Sequence, residues 1–336
     1  MAALEWLDRI VCGDCYTLIQ ALPDESVNLV ITSPPYFQQR DYGGGIGSED
    51  RVQDYIDNLL RILSECVRVL HPSGSIVFNL GDKYTESSLQ LIPYRFAIAA
   101  AEKLPLQLVN AVTWVKRNPT PRQFKRRLVS STEPFFHFVR NQGYYYNLDA
   151  FMQTERAPKG QRELSASKGK RYFELIEQSE LTGEQKTLAR QALTDMLQEL
   201  AQGKIEDFRM KIRGLHSEPF GGQAGGRQIQ LDKNGFTLIR IYGNPIKRDV
   251  IEMPVESVRS RNHPAMYPVN LVAEFLRLLT REGDVVLDPF MGSGSTAVAC
   301  KQTGRHYIGF ELNPEYCAFA EERLHQPATP RLFNDF

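Results

Sequence analysis

The sequence predicts an α/β protein, a Rossmann-like sheet whose strands are circularly permuted along the chain and interrupted by an inserted module. Three observations carry this reading. Short apolar runs alternate with amphipathic stretches in both end regions of the 336-residue chain, as strands and their covering helices do. Between about Tyr144 and Arg261 that alternation gives way to a region of different character. A glycine-rich turn of nucleotide-binding type, Asp288 to Ala297, comes late, and after Glu311 only one helix remains. A doubly wound sheet needs more strands than that, so the others must come from the N-terminal half.

Each element follows from local pattern. Arg9–Val11 reads as a strand leading into Gly13-Asp14, and Tyr16–Leu22 as a helical piece stopped by Pro23. Val27–Ile31 is a buried strand ending at Thr32-Ser33-Pro34-Pro35-Tyr36. Val52–Leu70 carries Tyr55, Leu59, Ile62, Leu63, Cys66 and Val69 near helical spacing, and His71-Pro72-Ser73-Gly74 ends it. Ser75–Leu80 is the next strand and Leu91–Ala101 the next helix. Leu108–Val115 and Glu133–Val139 look like strands pairing antiparallel at a sheet edge. In the middle region a polar Gly/Lys/Ser segment, Pro158–Lys170, precedes helices near Tyr172–Glu180 and Gly183–Gln202, and a glycine-rich loop covers Gly221–Arg227. The last part returns to α/β with a helix at Val269–Thr280, a strand at Asp284–Asp288, and the glycine turn. A helix at Ala297–Thr303, a strand at His306–Phe310 and a helix at Asn313–Leu324 complete it. The expected division is 1–143, an inserted module at 144–261, and 262–336.

Composition narrows the function classes. No apolar run reaches the ~18 residues that cross a bilayer, and the first residues lack a signal-peptide layout, so a cytoplasmic, non-membrane protein is expected. The five cysteines are scattered, and Cys12-x-x-Cys15 has no second pair to complete a metal site; buried free thiols and no metal are expected. Lys and Arg total 40 against 40 Asp and Glu, so global charge announces no polyanionic partner. Local charge does. Lys116–Arg127 holds Lys116, Arg117, Arg122, Lys125, Arg126 and Arg127 with no acid, and Arg156–Arg171 is also basic. Two such stretches flanking one segment suit a phosphate-binding groove.

Glycines at Gly292 and Gly294 let the backbone pass close to a ligand, and Glu311 at the end of the next strand sits where an acid would hold ribose hydroxyls. Alone, this turn also fits a nicotinamide-dependent oxidoreductase. Ser33-Pro34-Pro35-Tyr36 is the sharper feature, because ligands of open α/β sheets bind beyond the carboxyl ends of strands. Two prolines fix the backbone and leave carbonyls free to point into a pocket. Ser33 adds a hydroxyl acceptor and Tyr36 a flat face. Such a cluster suits the amino group of a planar base, its two hydrogens accepted by the Ser33 hydroxyl and the Pro34 carbonyl.

Ser33–Tyr36 together with Asp288-Pro289-Phe290-Met291-Gly292-Ser293-Gly294 resembles the amino-methylating DNA methyltransferases of the bacterial β class, over nearly the whole chain. In that class the catalytic motif precedes the cofactor motif, with target recognition between them. The resemblance implies an S-adenosyl-L-methionine-dependent methyltransferase sheet and direct transfer to a flipped base, with Ser33, Pro34, Pro35 and Tyr36 at the reacting centre. It implies that Asp288, Pro289, Phe290, Gly292, Ser293 and Gly294 line the cofactor, that Glu311 holds its ribose and that Asp14 contacts its adenine. His263-Pro264-Ala265 resembles the segment around the methionine end, although many members have lysine at the position of His263. Serine rather than aspartate before Pro-Pro is the pattern of cytosine N4 members, and Arg40-Asp41-Tyr42 resembles them too; adenine N6 is the alternative. Methylation at cytosine C5 needs a cysteine nucleophile, which in that class follows a proline, as no cysteine here does.

The expected partner is double-stranded DNA, with the target nucleotide rotated into the pocket and stacked on Tyr36. Lys116–Arg127 and Arg40 would clamp phosphates, and the inserted module would read bases through candidates Arg209, Arg213, Arg227, Arg240 and Arg248. A restriction endonuclease acting on the same site is a further expected partner, and the protein is expected to be a monomer or homodimer.

Overall fold

The computed structural model of the chain describes residues 5–39, 45–119, 124–152, 161–205, 207–215, 231, 233–241, 247–256 and 267–325, with backbone alone for 161–167. It divides into two compact units, Met1–Met152 with Lys247–Phe336, and Gln153–Ile246.

The first unit opens with β1 (Arg9–Cys12), α1 (Cys15–Gln20), β2 (Val27–Thr32), α2 (Val52–Val69) and β3 (Leu70–Asn79). A small hairpin, β4 (Tyr84–Thr85) with β5 (Ser88–Leu89), then leads to α3 (Ile92–Lys103), β6 (Gln107–Lys116) and β7 (Thr132–Val139). The second unit holds α4 (Gln161–Gln178), α5 (Gly183–Ala201), β8 (Asp207–Ile212) and β9 (Phe236–Ile241). The chain re-enters the first unit through β10 (Val250–Met253), α6 (Val269–Leu279), β11 (Val285–Asp288), α7 (Ser295–Thr303), β12 (His306–Glu311) and α8 (Pro314–His325).

Eight of these strands form one sheet in the order β1-β12-β11-β2-β3-β7-β6-β10. All neighbours are parallel except around β7, which runs antiparallel to both β3 and β6. The order confirms the permutation: β11, near the chain's end, pairs with β2, near its start, with Leu287 opposite Val30. Strands covered on both faces need apolar residues at successive positions, which explains their unbroken runs. Val30, Ile76, Phe78, Phe136 and Leu287 pack with α1, α2 and α3. Their neighbours Leu29, Ile31, Val77, Phe135 and Val286 pack with α6, α7 and α8. The architecture is therefore a three-layer sandwich with the sheet between two helical layers.

Three expectations change. The insert predicted at 144–261 narrows to a compact unit of 153–246, because flanking segments are tied to the sheet unit. Asn147 N donates to the Leu278 carbonyl at 2.7 Å and Met152 N to Glu274 at 2.6 Å, while β10 pairs in parallel with β6. That pairing also moves the sheet edge, so β6 and β7 are internal. Finally, α4 starts at Gln161, inside the polar Gly/Lys/Ser segment expected to precede the helix near Tyr172–Glu180.

The second unit has its own core of Ile176, Leu193, Met196, Phe208, Met210 and Phe236. A reciprocal cap, Thr182 with Gln185, starts α5. Among the described residues no helix is long and apolar enough to cross a membrane.

Candidate active site

Parallel strands deliver their carboxyl ends to one edge, and an antiparallel strand delivers its amino end there. Along that edge lie Asp14 after β1, Ser33 after β2, Asn79 at the end of β3 and Lys116 at the end of β6. Asp288 ends β11, Glu311 ends β12, and Glu133 stands near the start of β7. They surround a cleft of about 1330 Å³, within the first unit, lined at one end by Asp14, Phe290, Gly292, Ser293 and Glu311. Its other end is lined by Ser33, Pro34, Pro35, Tyr36, Asn79, Lys116 and Glu133. Pockets that hold one drug-sized ligand measure roughly 300–1,000 Å³, and this cleft is larger.

The two halves are joined at the β2/β11 boundary. Thr32 Oγ1 donates to Asp288 Oδ1 at 2.6 Å across 256 residues of sequence. Asp288 is only 1% exposed, and its carboxylate also accepts the Phe290 amide at 3.1 Å, the Thr296 hydroxyl at 2.5 Å and the Tyr267 hydroxyl at 3.0 Å. Burial holds its pKa above the usual carboxylate range, opposed by these hydrogen bonds. Asp288 was expected to line the ligand; it instead lies beneath the turn and fixes it, while Pro289, Phe290, Gly292 and Ser293 face the cleft.

Gly292 (φ 52°) and Gly294 (φ 81°) adopt left-handed backbone. At Gly294 a side chain is excluded twice over, since a Cβ would stand 2.9 Å from that of Ala320 in α8. Arg323, which the sequence reading missed, straps the turn to α8. Its guanidinium donates to the Ser293 carbonyl and hydroxyl, to the Ser295 hydroxyl at 3.0 Å and to Glu256 at 2.7 Å. Glu311 accepts the Gly292 amide at 2.8 Å on one oxygen and the Asn313 amide at 2.9 Å on the other. Burial raises its pKa, and hydrogen bonds from the Asn313, Gly292 and Leu312 backbone work against that rise. Asp14 caps α1 by accepting the Thr17 amide and hydroxyl, both at 2.9 Å.

At the other end Ser33, Tyr36 and Asn79 form one polar cluster. The Ser33 hydroxyl donates toward Asn79 Oδ1 at 3.1 Å or the Tyr36 oxygen at 3.3 Å. The Tyr36 hydroxyl stands 2.8 Å from Asn79 Oδ1 and 3.1 Å from Glu133 Oε2. The Tyr36 ring lies against Gly81, where a Cβ would come within 2.3 Å of it. The Pro35 carbonyl is taken by the Tyr55 hydroxyl at 2.8 Å. Asn79 and Glu133 were not found from sequence. The edge rule could have found Asn79, a polar residue ending an apolar strand, and it finds Glu133 only once β7 is known to run antiparallel.

The basic stretch divides. Lys116 is not on the outer surface as a phosphate clamp would be; it pairs with Glu133 inside the cleft, 5.0 Å above the Trp114 ring. Arg117, Lys125 and Arg126 are exposed. Arg127 is held between Tyr84 and Phe124, 3.8 and 3.6 Å from the two ring centroids. In the second unit Arg209 is exposed, whereas Arg240 is engaged by Glu199 at 2.7 and 2.9 Å. Arg40, Arg122, Arg227, His263, Pro264 and Ala265 lie outside the described residues. Four of the five cysteines are buried as expected; Cys12, at the end of the sheet edge strand, is exposed.

Comparison with known proteins gives a consistent picture. The family of N6 and N4 methyltransferases described as DNA methylase matches residues 27–322. The Type II methyltransferase M.Cfr9I of Citrobacter freundii is 26% identical, covering 93% of this chain and 86% of its own. M.SfiI of Streptomyces fimbriatus is also 26% identical, covering 96% and 92%. Among solved structures, the PvuII DNA methyltransferase, described as cytosine-N4-specific, has the same fold with a TM-score of 0.60 at 18% identity, covering 95% and 87%. The Thermus thermophilus protein TTHA0409, solved with S-adenosyl-L-methionine, shares the fold at a TM-score of 0.52 and 22% identity, covering 94% of each chain.

Proposed function

The chain belongs to the DNA methylase family, and from that premise we propose that it moves the methyl group of S-adenosyl-L-methionine to the exocyclic N4 of cytosine in double-stranded DNA. The observation that supports this reading is the Thr32–Asp288 hydrogen bond, which joins the ends of β2 and β11 so that the Ser33–Tyr36 loop and the glycine turn line one cleft. A nicotinamide enzyme would use the glycine turn and Glu311 but would leave Ser33–Tyr36 without a task.

The residues present fit this donor. The left-handed turn at Gly292 presents backbone without a side chain to the cleft, and Gly294 lets the turn pack closely on α8. Glu311 has given one hydrogen-bond site on each oxygen to the backbone, and a carboxylate has about four, so ribose hydroxyls can be accepted at the others. Asp14 stands at the same end for the adenine, and Phe290 offers an apolar wall. When bound, S-adenosyl-L-methionine supplies an electrophilic methyl group on a positively charged sulfur.

The chain's own groups orient the acceptor. A Ser33 hydroxyl that donates to Asn79 or to Tyr36 turns its lone pairs outward, ready for one amino hydrogen, and the Pro34 carbonyl takes the other. Both contacts hold the amine so that its lone pair faces the methyl group. The Tyr36 ring, fixed by Gly81, supplies the stacking face for a base rotated out of the duplex. Serine rather than aspartate at the head of the loop supports cytosine, because it resembles the pattern of cytosine N4 members. Arg117, Lys125 and Arg126 meet phosphates, and unit 153–246 reads the sequence, with Arg209 among the reading groups. A restriction endonuclease recognising the same site would be the companion activity.

The test is chemical. DNA methylated by the purified protein is digested to nucleosides, which are separated by chromatography and identified by mass and fragmentation. N4-methyl-2′-deoxycytidine is expected. N6-methyl-2′-deoxyadenosine would overturn the cytosine assignment alone, and 5-methyl-2′-deoxycytidine would overturn the amine mechanism.

A further inference from the structure

Resting on the reading above, we propose that Glu133 receives, through the hydroxyls of Tyr36 and Ser33, the proton that the target amine sheds on methylation. The hydrogen bonds lie in series. Ser33 Oγ is 3.3 Å from the Tyr36 oxygen, and that oxygen is 3.1 Å from Glu133 Oε2. Asn79 touches both hydroxyls through Oδ1, and its orientation is fixed because its amide nitrogen donates to the Pro134 carbonyl at 3.0 Å. It therefore presents an amide oxygen, which accepts hydrogen bonds but does not keep a proton. Lys116 binds the other carboxylate oxygen, Oε1, and so turns Oε2 toward Tyr36. Among the described residues, the charged or titratable groups bonded to Glu133 are thus Lys116 from β6 and Tyr36 from the loop after β2. Glu133 is the carboxylate at the end of this series, with a side chain only 15% exposed.

The transfer balances. The amine lone pair forms the N–C bond as the S–C bond breaks, its electron pair staying on sulfur. The nitrogen then carries one proton too many. That proton passes to Ser33 Oγ as the Ser33 proton moves to Tyr36 and the Tyr36 proton moves to Glu133. One positive charge is lost from sulfur and one negative charge from the carboxylate. The two hydroxyls end as they began, and Glu133 returns its proton to solvent after product leaves.

Of the other carboxylates lining the cleft, Asp82 is the one with a spare buried oxygen: its Oδ1 accepts the amides of Lys83 and Ile92, at 2.8 and 3.1 Å, while its buried Oδ2 has no hydrogen-bond partner among the described residues. Nothing in the hydrogen-bond series reaches it.

The experiment measures single-turnover methylation by the full chain at saturating donor and DNA, with donor affinity measured in parallel. Glu133→Ala and Glu133→Gln should each slow transfer by at least about tenfold while donor affinity is kept, below the usual range of general-base contributions because the carboxylate acts through two hydroxyls. Added formate should restore much of the rate to Glu133→Ala, where a carboxylate-sized space is open, and none to Glu133→Gln, where it is filled. A purely structural role would not be rescued. Tyr36→Phe keeps the ring and removes the middle hydroxyl; it should slow transfer similarly, and Tyr36→Phe with Glu133→Gln should be no slower than the worse single variant. The proposal is overturned if Glu133→Gln transfers at the wild-type rate, if formate fails to rescue Glu133→Ala, if the two losses multiply, or if only Asp82→Ala is formate-dependent. Should the Glu133 variants lose donor binding and so report misfolding, a wild-type rate in Tyr36→Phe overturns it. A wild-type protein that puts no methyl group on DNA would instead overturn the underlying reading.

Discussion

Four groups converge on the carboxylate of Asp288, from β2, from the glycine turn, from α7 and from the segment before α6. Removing it by Asp288→Ala leaves hydroxyls and an amide buried without an acceptor. Each such group costs about 1–3 kcal/mol, so a loss of about 3 kcal/mol or more is expected in denaturant unfolding. The lost donor binding would follow from a displaced turn. The pH dependence has a definite sign. Because burial raises the Asp288 pKa in the native state, the native state holds this proton more tightly than the unfolded one. Its contribution to stability therefore falls as pH rises through the native value. The residue helps organise the cleft at a cost that acid relieves.

At the scale of elements, the second unit depends on a small core in which Phe208 is fully buried against α4 and α5. Phe208→Ala should destabilise that unit by about 3–5 kcal/mol. If the unit reads DNA, the variant should lose sequence selectivity while binding S-adenosyl-L-methionine as before; isothermal titration with the donor and with cognate DNA separates the two. Elements with strong local pattern were legible. α2 falls within a residue of its expected bounds, and β2, β11 and β12 lie where their apolar runs put them. The strand β10 was not legible, because Val-Ile-Glu-Met is too short to show a period and its place is set by β6, over 130 residues earlier. The same limit hid the Glu133–Lys116 pair. Both residues are charged, and charge near a basic run reads as surface until strand direction puts the two face to face. Ser33–Tyr36 and the glycine turn were legible because their unusual residues are demanded locally, by backbone shape. Arg323 and Tyr267 were not, since their partners lie far away in sequence.

For the whole molecule, the sheet is built from pairings of long range. Among the described residues β1 pairs with β12 alone, with Arg9 opposite Ile308, and β2 pairs with β11. Such topology folds slowly relative to local structure. In refolding from denaturant, amide protection in α4 and α5 should precede protection in β1, and donor binding should recover only with the β1 phase. Pulsed hydrogen exchange with mass readout checks this order. The β2–β11 pairing also has a meaning during synthesis. A ribosome makes the Ser33–Tyr36 loop early, and the partner of Thr32 emerges 256 residues later. Until then β2 carries a bare apolar edge, the kind that recruits stray strands. The nascent chain is thus chemically silent but physically adhesive until β11 has been made.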